Sequence, residues 1–331
     1  MPPTPGTLKK PVPTHFLCIP LAASPAARAQ LAASLSAFRN DVCASPAAGG
    51  FDVPFDAVRP VGTVHLTLGV MSFPTPPPPP RGRTDAVSGV GSGGDGDGSG
   101  SEGEAQRPEE GGPRSAGLQR AREVLAGIGL RSIWREVARG RQGDAVRRLE
   151  GMAQGRVGTG VVKKEGHEQE EEREREREEE EEERPRITLR GLASMQPADK
   201  AAVLYAPPVD QFGLLQAFCE KVRDVFKEAE LMVDEGRPLL LHATVVNTIY
   251  VKGNRSEGGG SRGKGGRGRK GGKKWERLVF DARGIIDRYE DQVWLENMPL
   301  DKVAICRMGA TKIMVDGEED EAYEVEAEVN F

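Results

Sequence analysis

The sequence is poor in aromatic residues, histidines and cysteines, and it has no long apolar run. Its 331 residues include four histidines and four cysteines, and Phe, Trp and Tyr together make up 5%. A helix that spans a membrane needs about 20 consecutive apolar residues, which no segment provides, residues 1–13 included. We therefore expect neither a membrane protein nor a secreted one.

The cysteines are far apart in the sequence and show no C-x-x-C spacing, which argues against a disulfide framework. Cys18, Cys219 and Cys306 stand among apolar residues, as small buried side chains do. The sequence thus predicts reduced thiols in an intracellular compartment. We expect the nucleus or the cytoplasm, with the nucleus favoured.

Three segments have compositions that cannot contribute to a packed core. Residues 74–117 are rich in Pro, Gly and Ser, residues 140–186 lead into a Glu/Arg tract, and residues 253–274 are almost wholly Gly, Lys and Arg. We expect a short tail at 1–12 and one domain at 13–331 that these flexible insertions interrupt. Two interpretations of the basic insertion stay open: a segment for nucleic acid or nuclear import, or a solvated linker.

Strand-like and helix-like patterns follow each other without a regular strand–helix–strand rhythm, which predicts an α+β fold rather than a doubly wound one. Apolar residues at helical spacing favour helices at 26–42, 118–128 and 214–231, the second extending toward Trp134. Strands are predicted at 15–21, 62–73, 186–192, 202–206, 239–251, 278–280, 292–295 and 302–306, with 186–192 and 202–206 as a hairpin-like pair.

A short pattern occurs twice: Arg-Pro, a brief apolar stretch, and then His-x-Thr. The first copy ends in His65-Leu66-Thr67 and the second in His242-Ala243-Thr244. Because side chains alternate along a strand, the His and Thr of each copy share one face, and the residue between them points to the opposite, apolar side. If two similar lobes each contribute one copy, both polar faces meet at one groove.

Two imidazoles and two hydroxyls around one point suit chemistry at phosphorus. A neutral histidine can accept a proton while a protonated one donates to the leaving oxygen, and threonine hydroxyls can donate to the non-bridging oxygens. A single His-x-Thr is more often an ordinary strand histidine, but two copies in the same context favour a site. We predict that His65 and His242 are catalytic and that Thr67 and Thr244 bind phosphate.

The other two histidines are not candidates, since His15 begins a strand and His167 lies in the acidic tract. No Cys or carboxylate stands at ligand spacing from the motif histidines. The glycines form no strand–loop–helix unit of the kind that holds a nucleoside triphosphate. The sequence therefore predicts a mechanism without a metal or another cofactor.

Together these motifs make the sequence similar to the 2H phosphoesterase superfamily. Within it, the sequence resembles the branch shared by A-kinase anchoring proteins and the KH-containing subunit of the activating signal cointegrator complex. Besides the two His-x-Thr copies, the resemblance rests on 13–21, on Gly191-Leu192 with Val203–Ala206, on 245–248 and on 280–285. A KH module is not expected, because only residues 1–12 precede the first strand.

The resemblance implies a bilobal α+β fold of the 2′-5′ RNA ligase-like kind, with two pseudo-two-fold related lobes and antiparallel sheets around a central groove. It implies metal-independent action on 2′-linked or cyclic phosphodiesters of RNA ends or oligonucleotides. The alternative is a non-catalytic RNA-binding subunit of a nuclear transcription-coactivator or DNA-repair complex, whose other subunits would be its partners. We expect a monomer.

Overall fold

The computed structural model describes residues 11–73, 116–150, 184–210, 213–234, 236–251 and 277–331. The helices described are α1 Pro25–Val42, α2 Ala116–Ala126, α3 Leu130–Glu150, α4 Leu215–Glu228 and α5 Arg283–Arg288. The strands described are β1 His15–Pro20, β2 His65–Met71, β3 Arg186–Arg190, β4 Ala193–Ser194, β5 Val203–Ala206, β6 Pro208–Val209, β7 Ala243–Asn247, β8 Val293–Pro299, β9 Lys302–Arg307, β10 Thr311–Val315, β11 Glu318–Ala322 and β12 Val325–Asn330.

Seven strands form one antiparallel sheet in the order β12-β9-β1-β2-β7-β5-β4. A second antiparallel sheet has the order β6-β3-β8, and β10 and β11 form a two-stranded ribbon. Helices packed with antiparallel sheets confirm the predicted α+β fold class. None of the helices in the described ranges is long and apolar enough to cross a membrane.

Helix α1 begins where the sequence predicts, because Ser24 caps it and Pro25 suits its first turn. The Ser24 hydroxyl accepts a hydrogen bond from the Ala27 amide at 3.3 Å. Leu31 and Phe38 lie on its buried stripe, and this face contacts β8. Each such large apolar side chain contributes roughly 2 kcal/mol when buried.

Helix α4 carries the strongest apolar stripe among the predicted helices. Phe218, Val222 and Phe226 recur at helical spacing and are fully buried. The helix contacts β2, the strand of the first His-x-Thr copy. Arg223 lies beside this stripe and is buried with it, so a charged group is held against the motif strand.

The predicted hairpin-like pair of 186–192 with 202–206 is confirmed as antiparallel neighbours, since Leu189 pairs with Pro208 and Ala193 with Tyr205, but its two ends belong to different sheets. Strand β3 lies between β6 and β8 in the second sheet, whereas β5 pairs with β4 and β7 in the first. The chain passes from one sheet to the other at Gly191, whose φ of +77° is left-handed backbone that favours glycine. The Gly191 carbonyl also accepts a hydrogen bond from the Trp294 indole at 2.8 Å, which fixes this turn against β8.

Several elements differ from the predicted ones at their ends. The helix predicted at 118–128 ends at Ala126, and after Gly127 and Gly129 a second helix starts at Leu130. Residues 278–280 form one bridge, between Phe280 and Ala201, instead of a strand. The strands β10, β11 and β12 are not predicted from the sequence; β11 is Glu-Glu-Asp-Glu-Ala, and all three consist of exposed or half-buried residues.

The predicted insertions are described only at their borders. Helix α2 takes in 116–117, α3 takes in 140–150, and β3 begins at Arg186. The remaining parts of 74–117, 140–186 and 253–274 lie outside the described residues, as do 1–10 and His167. Their expected flexibility stays a prediction.

Candidate active site

The two motif strands are neighbours at the middle of the seven-stranded sheet. Leu66 of β2 is opposite Ala243 of β7 in an antiparallel register. Each is the middle residue of its His-x-Thr copy, so a local two-fold axis passes between them. Both are fully buried, whereas the histidines and threonines on either side of them are partly exposed. The structure thus brings the four predicted site residues to one face of the sheet.

Each motif strand also pairs with the segment that precedes the other motif. Val58, which precedes the first copy, bridges Val246 of β7, and Met232, which precedes the second, bridges Met71 of β2. This exchange repeats the local two-fold. The two bridges flank the central Leu66–Ala243 pair and hold β2 and β7 in place on either side of it. This symmetry agrees with the internal similarity in the sequence.

The register sets the spacing of the site. In a regular antiparallel ladder centred on Leu66 and Ala243, His65 would be opposite Thr244 and Thr67 opposite His242. The two histidines are then diagonal neighbours, which in a regular antiparallel pair are roughly 7–8 Å apart. That spacing suits two imidazoles with one phosphate between them. The charge of His242 lowers the pKa of His65, which agrees with this proximity.

Both histidines make the same hydrogen bond to their own chain. His65 Nδ1 is 2.7 Å from the Thr63 carbonyl oxygen, and His242 Nδ1 is 2.8 Å from the Leu240 carbonyl oxygen. A carbonyl only accepts, so Nδ1 of each ring carries the proton and donates. Nε2 is left as the reactive nitrogen of each neutral ring, in the same tautomer at both sites.

His65 is enclosed by aromatic rings. Its ring centroid is 4.9 Å from that of Phe16 and 5.3 Å from that of Tyr323, which meets it edge-on. Burial lowers the pKa of His65 to about 4; the bond to the Thr63 carbonyl opposes this, and the charges of His242 and Arg59 add to it. Without a ligand, His65 is therefore neutral at pH 7.

His242 has a more open setting. Tyr205 meets its ring edge-on at 5.6 Å, and Leu240, whose carbonyl holds Nδ1, is 50% exposed. Burial lowers the pKa of His242 as well; the bond to Leu240 raises it, and the charge of Arg237 lowers it. Both imidazoles are thus bases in the free protein, and an anion between them would favour their protonated forms.

Each histidine has an arginine charge near it, from the Arg-Pro that precedes its own motif. Arg59 is 3% exposed, and its guanidinium carbon lies 3.7 Å from the ring centroid of Tyr250. It also hydrogen-bonds Tyr323, whose hydroxyl pKa burial raises. The repeated Arg-Pro was the sequence feature that could have identified Arg59 and Arg237 as site residues. Nothing local marked Phe16, Tyr205, Tyr250 or Tyr323.

His15 and three of the cysteines are buried, as their sequence context predicts. His15 is buried on β1 with its ring 5.2 Å from that of Phe73. Cys18, Cys219 and Cys306 are buried free thiols. In the part of the chain that the structure describes, no three His, Cys, Asp or Glu side chains are grouped as metal ligands would be.

Comparison with known families then decides the relationship. The family model of the AKAP7 2'5' RNA ligase-like domain matches residues 165–331, which is half of the chain. The chain belongs to this family. The match confirms the resemblance to the A-kinase anchoring protein branch of the 2H phosphoesterases. It includes His242 and Thr244, whereas His65 and Thr67 precede it.

Individual relatives of this family member are distant. An uncharacterized protein of Schizosaccharomyces pombe, C15D4.13c, is 29% identical over 113 residues, which are 34% of this chain. The chain spans about two fifths of that relative's length, 42%. A solved structure described as a phosphoesterase is 12% identical, covers 96% of this chain and 97% of its own, and has a TM-score of 0.33. Escherichia coli LigT complexed with 3'-AMP is 12% identical with the same coverage and a TM-score of 0.35.

Proposed function

We propose that the protein is a phosphodiesterase that acts on 2′-linked or cyclic phosphodiesters of RNA ends or oligonucleotides. In this proposal His65 and His242 are a general acid–base pair that needs no metal. The observation that carries it is the matched setting of the two rings: one sheet face, one tautomer, and Nε2 of both rings left for a ligand. A protein that used this face only for binding would not need two imidazoles held alike.

The proposed step is a displacement at phosphorus. Nε2 of one neutral imidazole takes the proton of the attacking hydroxyl or water, whose oxygen forms the new bond to phosphorus. The bond to the leaving oxygen breaks, and that oxygen takes a proton from Nε2 of the other, protonated imidazole. The Thr67 and Thr244 hydroxyls, on the same face, donate to the non-bridging oxygens as their charge grows.

The substrate itself supplies the charge that this step needs. Both rings have lowered pKa values in the free protein. A bound phosphodiester carries a negative charge, which raises the pKa of a neighbouring imidazole. Substrate binding therefore favours a state in which one ring of the pair is protonated and the other is not, and this state matches the acid and base roles.

The full-length chain should be incubated with 2′,3′-cyclic nucleotides and 2′-5′-linked oligonucleotides in the presence of EDTA. We expect cleavage that persists with the chelator and is lost in His65→Ala and in His242→Ala. His15→Ala is the control, because His15 lies outside the site. Binding of the oligonucleotide without cleavage, unchanged in both site variants, would favour the alternative of a non-catalytic RNA-binding subunit.

We also propose that the protein is a monomer and that it is nuclear. The support for the second point is the basic run within 253–274, which has the composition of an import segment. A fluorescent fusion of the full chain should be nuclear, and replacement of the lysines and arginines of this run by glutamine should move it to the cytoplasm. An unchanged distribution of the fusion would favour a linker role for the basic run.

The monomer is tested separately by light scattering, which measures the molar mass of the full chain in solution.

A further inference from the structure

A narrow pocket lies between the two motif strands, next to the proposed catalytic face. Its volume is about 40 Å³, and its walls include Thr67 and Gly69 of β2 on one side and Leu240 and His242 on the other. It is too small for a nucleobase. It has room for the oxygens of one anionic group, because a cavity of roughly 10–15 Å³ measured in this way already holds a water molecule.

A buried arginine lines this pocket. Arg223 reaches it from α4, is 7% exposed, and has an Nε with no hydrogen-bond partner among the described residues. Gly69 makes room for Met232, because a Cβ at that position would lie 2.5 Å from the Met232 sulfur; the same position is 3.8 Å from Arg223 Nε, which is an ordinary contact distance. Arg223 Nε therefore lies within contact distance of the motif strand at Gly69.

A buried guanidinium nitrogen without a partner is unfavourable, since a charged donor removed from water costs free energy unless an acceptor replaces the water. Natural proteins retain few such groups. An oxyanion in the pocket would supply the acceptor. Arg237 adds a second positive charge to the pocket wall, and no acidic side chain lines the pocket in the part of the chain that the structure describes.

We propose that Arg223 is an anion-binding residue of this site and takes a phosphate oxyanion of the substrate through the gap between β2 and β7. The inference deepens the proposed function and rests on it for the identity of the substrate. The oxyanion has two possible sources. It is a non-bridging oxygen of the scissile phosphodiester, or it belongs to a separate phosphomonoester next to that linkage.

The first test measures binding of inorganic phosphate to the full chain by titration calorimetry. Arg223→Met keeps most of the side-chain volume and removes the charge, and we expect it to weaken phosphate binding about tenfold or more, as for one charge-assisted hydrogen bond. Thermal unfolding shows whether the variant is folded. A folded Arg223→Met that binds phosphate as the wild type does would overturn the proposal.

A second pair of variants leaves Arg223 in place. Leu240→Glu puts a carboxylate at the pocket wall, on a residue that is 50% exposed, and should also weaken phosphate binding. Val209→Glu is the matched control. Val209 is 52% exposed and lies on β6 of the other sheet, and its replacement changes the net charge by the same amount as Leu240→Glu. If Arg223→Met does not fold, equal phosphate affinities of Leu240→Glu and Val209→Glu would overturn the proposal.

Kinetics then separate the two sources of the oxyanion. Arg223→Met is compared with wild type on a 2′-5′-linked dinucleotide with and without a terminal phosphate. An equal loss of kcat/KM on both supports contact with the scissile phosphate, and a loss confined to the phosphorylated dinucleotide supports a separate subsite. No loss on either would contradict the assignment. Phosphate binding that depends on Arg223, in a protein that cleaves neither, would refute the proposed function and leave the anion site in place.

Discussion

The two His-x-Thr copies have the same hydrogen-bond pattern in different surroundings. His65 is held by the carbonyl of Thr63, which is 4% exposed, and lies between Phe16 and Tyr323. His242 is held by the carbonyl of an exposed residue and meets one aromatic ring, that of Tyr205. A local two-fold can therefore place two partly exposed groups alike while the rest of the fold encloses one of them more than the other.

This difference has a chemical consequence. Burial stabilises the neutral form of an imidazole. The pKa of the enclosed ring, His65, is therefore set mainly by the protein, and the pKa of the more open ring, His242, mainly by solvent and ligand. The shared tautomer, in contrast, comes from the local chain and does not depend on burial. The comparison predicts that the two histidines are equivalent in catalysis and different in their response to pH.

The largest effect expected is on turnover. His65→Ala and His242→Ala should each lower kcat for a cyclic or 2′-5′ phosphodiester by about 100-fold or more, because proton transfer by a positioned side chain typically supplies that much. The double variant should be little slower than either single one, since the two rings act in one step. A loss confined to one histidine would break the equivalence.

The pH dependence of stability should distinguish the two rings. Burial lowers the pKa of His65 to about 4, below the ordinary histidine value of about 6.5. Between these two values the unfolded chain binds a proton at this histidine and the folded chain does not. The stability present above pH 6.5 is lost as pH falls toward 4, by on the order of 2 kcal/mol after allowance for partial exposure.

Chemical denaturation of the wild type and of His65→Gln at pH 7 and pH 4 measures this difference. The acid-induced loss in free energy of unfolding should be smaller in His65→Gln. His242→Gln should reduce the loss less, because His242 is the more open ring. Equal changes in the two variants would show that burial does not separate them.

The threonines should have intermediate and similar effects. Thr67→Val and Thr244→Val each remove one hydroxyl that, in the proposed mechanism, donates to a phosphate oxygen, so turnover should fall by about tenfold, the value of one such bond in a site. Valine keeps the shape and the strand preference. Steady-state kinetics should show the loss in kcat more than in KM, since the charge on these oxygens grows in the transition state.

The smallest effects should come from the aromatic neighbours. Tyr323→Leu and Tyr205→Leu each remove one edge-on ring contact, worth about 0.5–1.5 kcal/mol, and should lower turnover only several-fold. Tyr323→Leu should also raise the pKa of His65 by opening its enclosure, as a pH titration of its ring would show. An unchanged titration would assign the low pKa to Phe16 and Arg59 instead.

The local part of this site could be predicted from the sequence. Alternation along a strand is enough to place His65 with Thr67 and His242 with Thr244, and the repeated Arg-Pro context relates the two copies. Capping by Ser24 and the apolar stripe of α4 likewise follow from residues close in the chain. These features depend on local geometry, which the sequence order contains.

The long-range part could not be predicted. Tyr323 contacts His65 from the turn between β11 and β12. The strands of this region have no buried apolar face that would mark them in the sequence. The division of the 186–194 and 203–209 hairpin between two sheets, with β3 also paired to β8, depends on the turn at Gly191 and on its contact with Trp294. Arg223 reads as one charged position on an amphipathic helix, and only the folded chain shows that it faces the motif strand.

The central claim is that His65 and His242 share one phosphate through Nε2. Nitrogen NMR of the imidazoles in the full chain tests it most directly, because the chain has only four histidines. On addition of a slowly cleaved 2′-5′-linked dinucleoside phosphorothioate, Nε2 of both rings should shift together. Nδ1 of both should stay protonated, and His15 and His167 should not change. A shift in one of the two rings alone, or at Nδ1, would contradict the account.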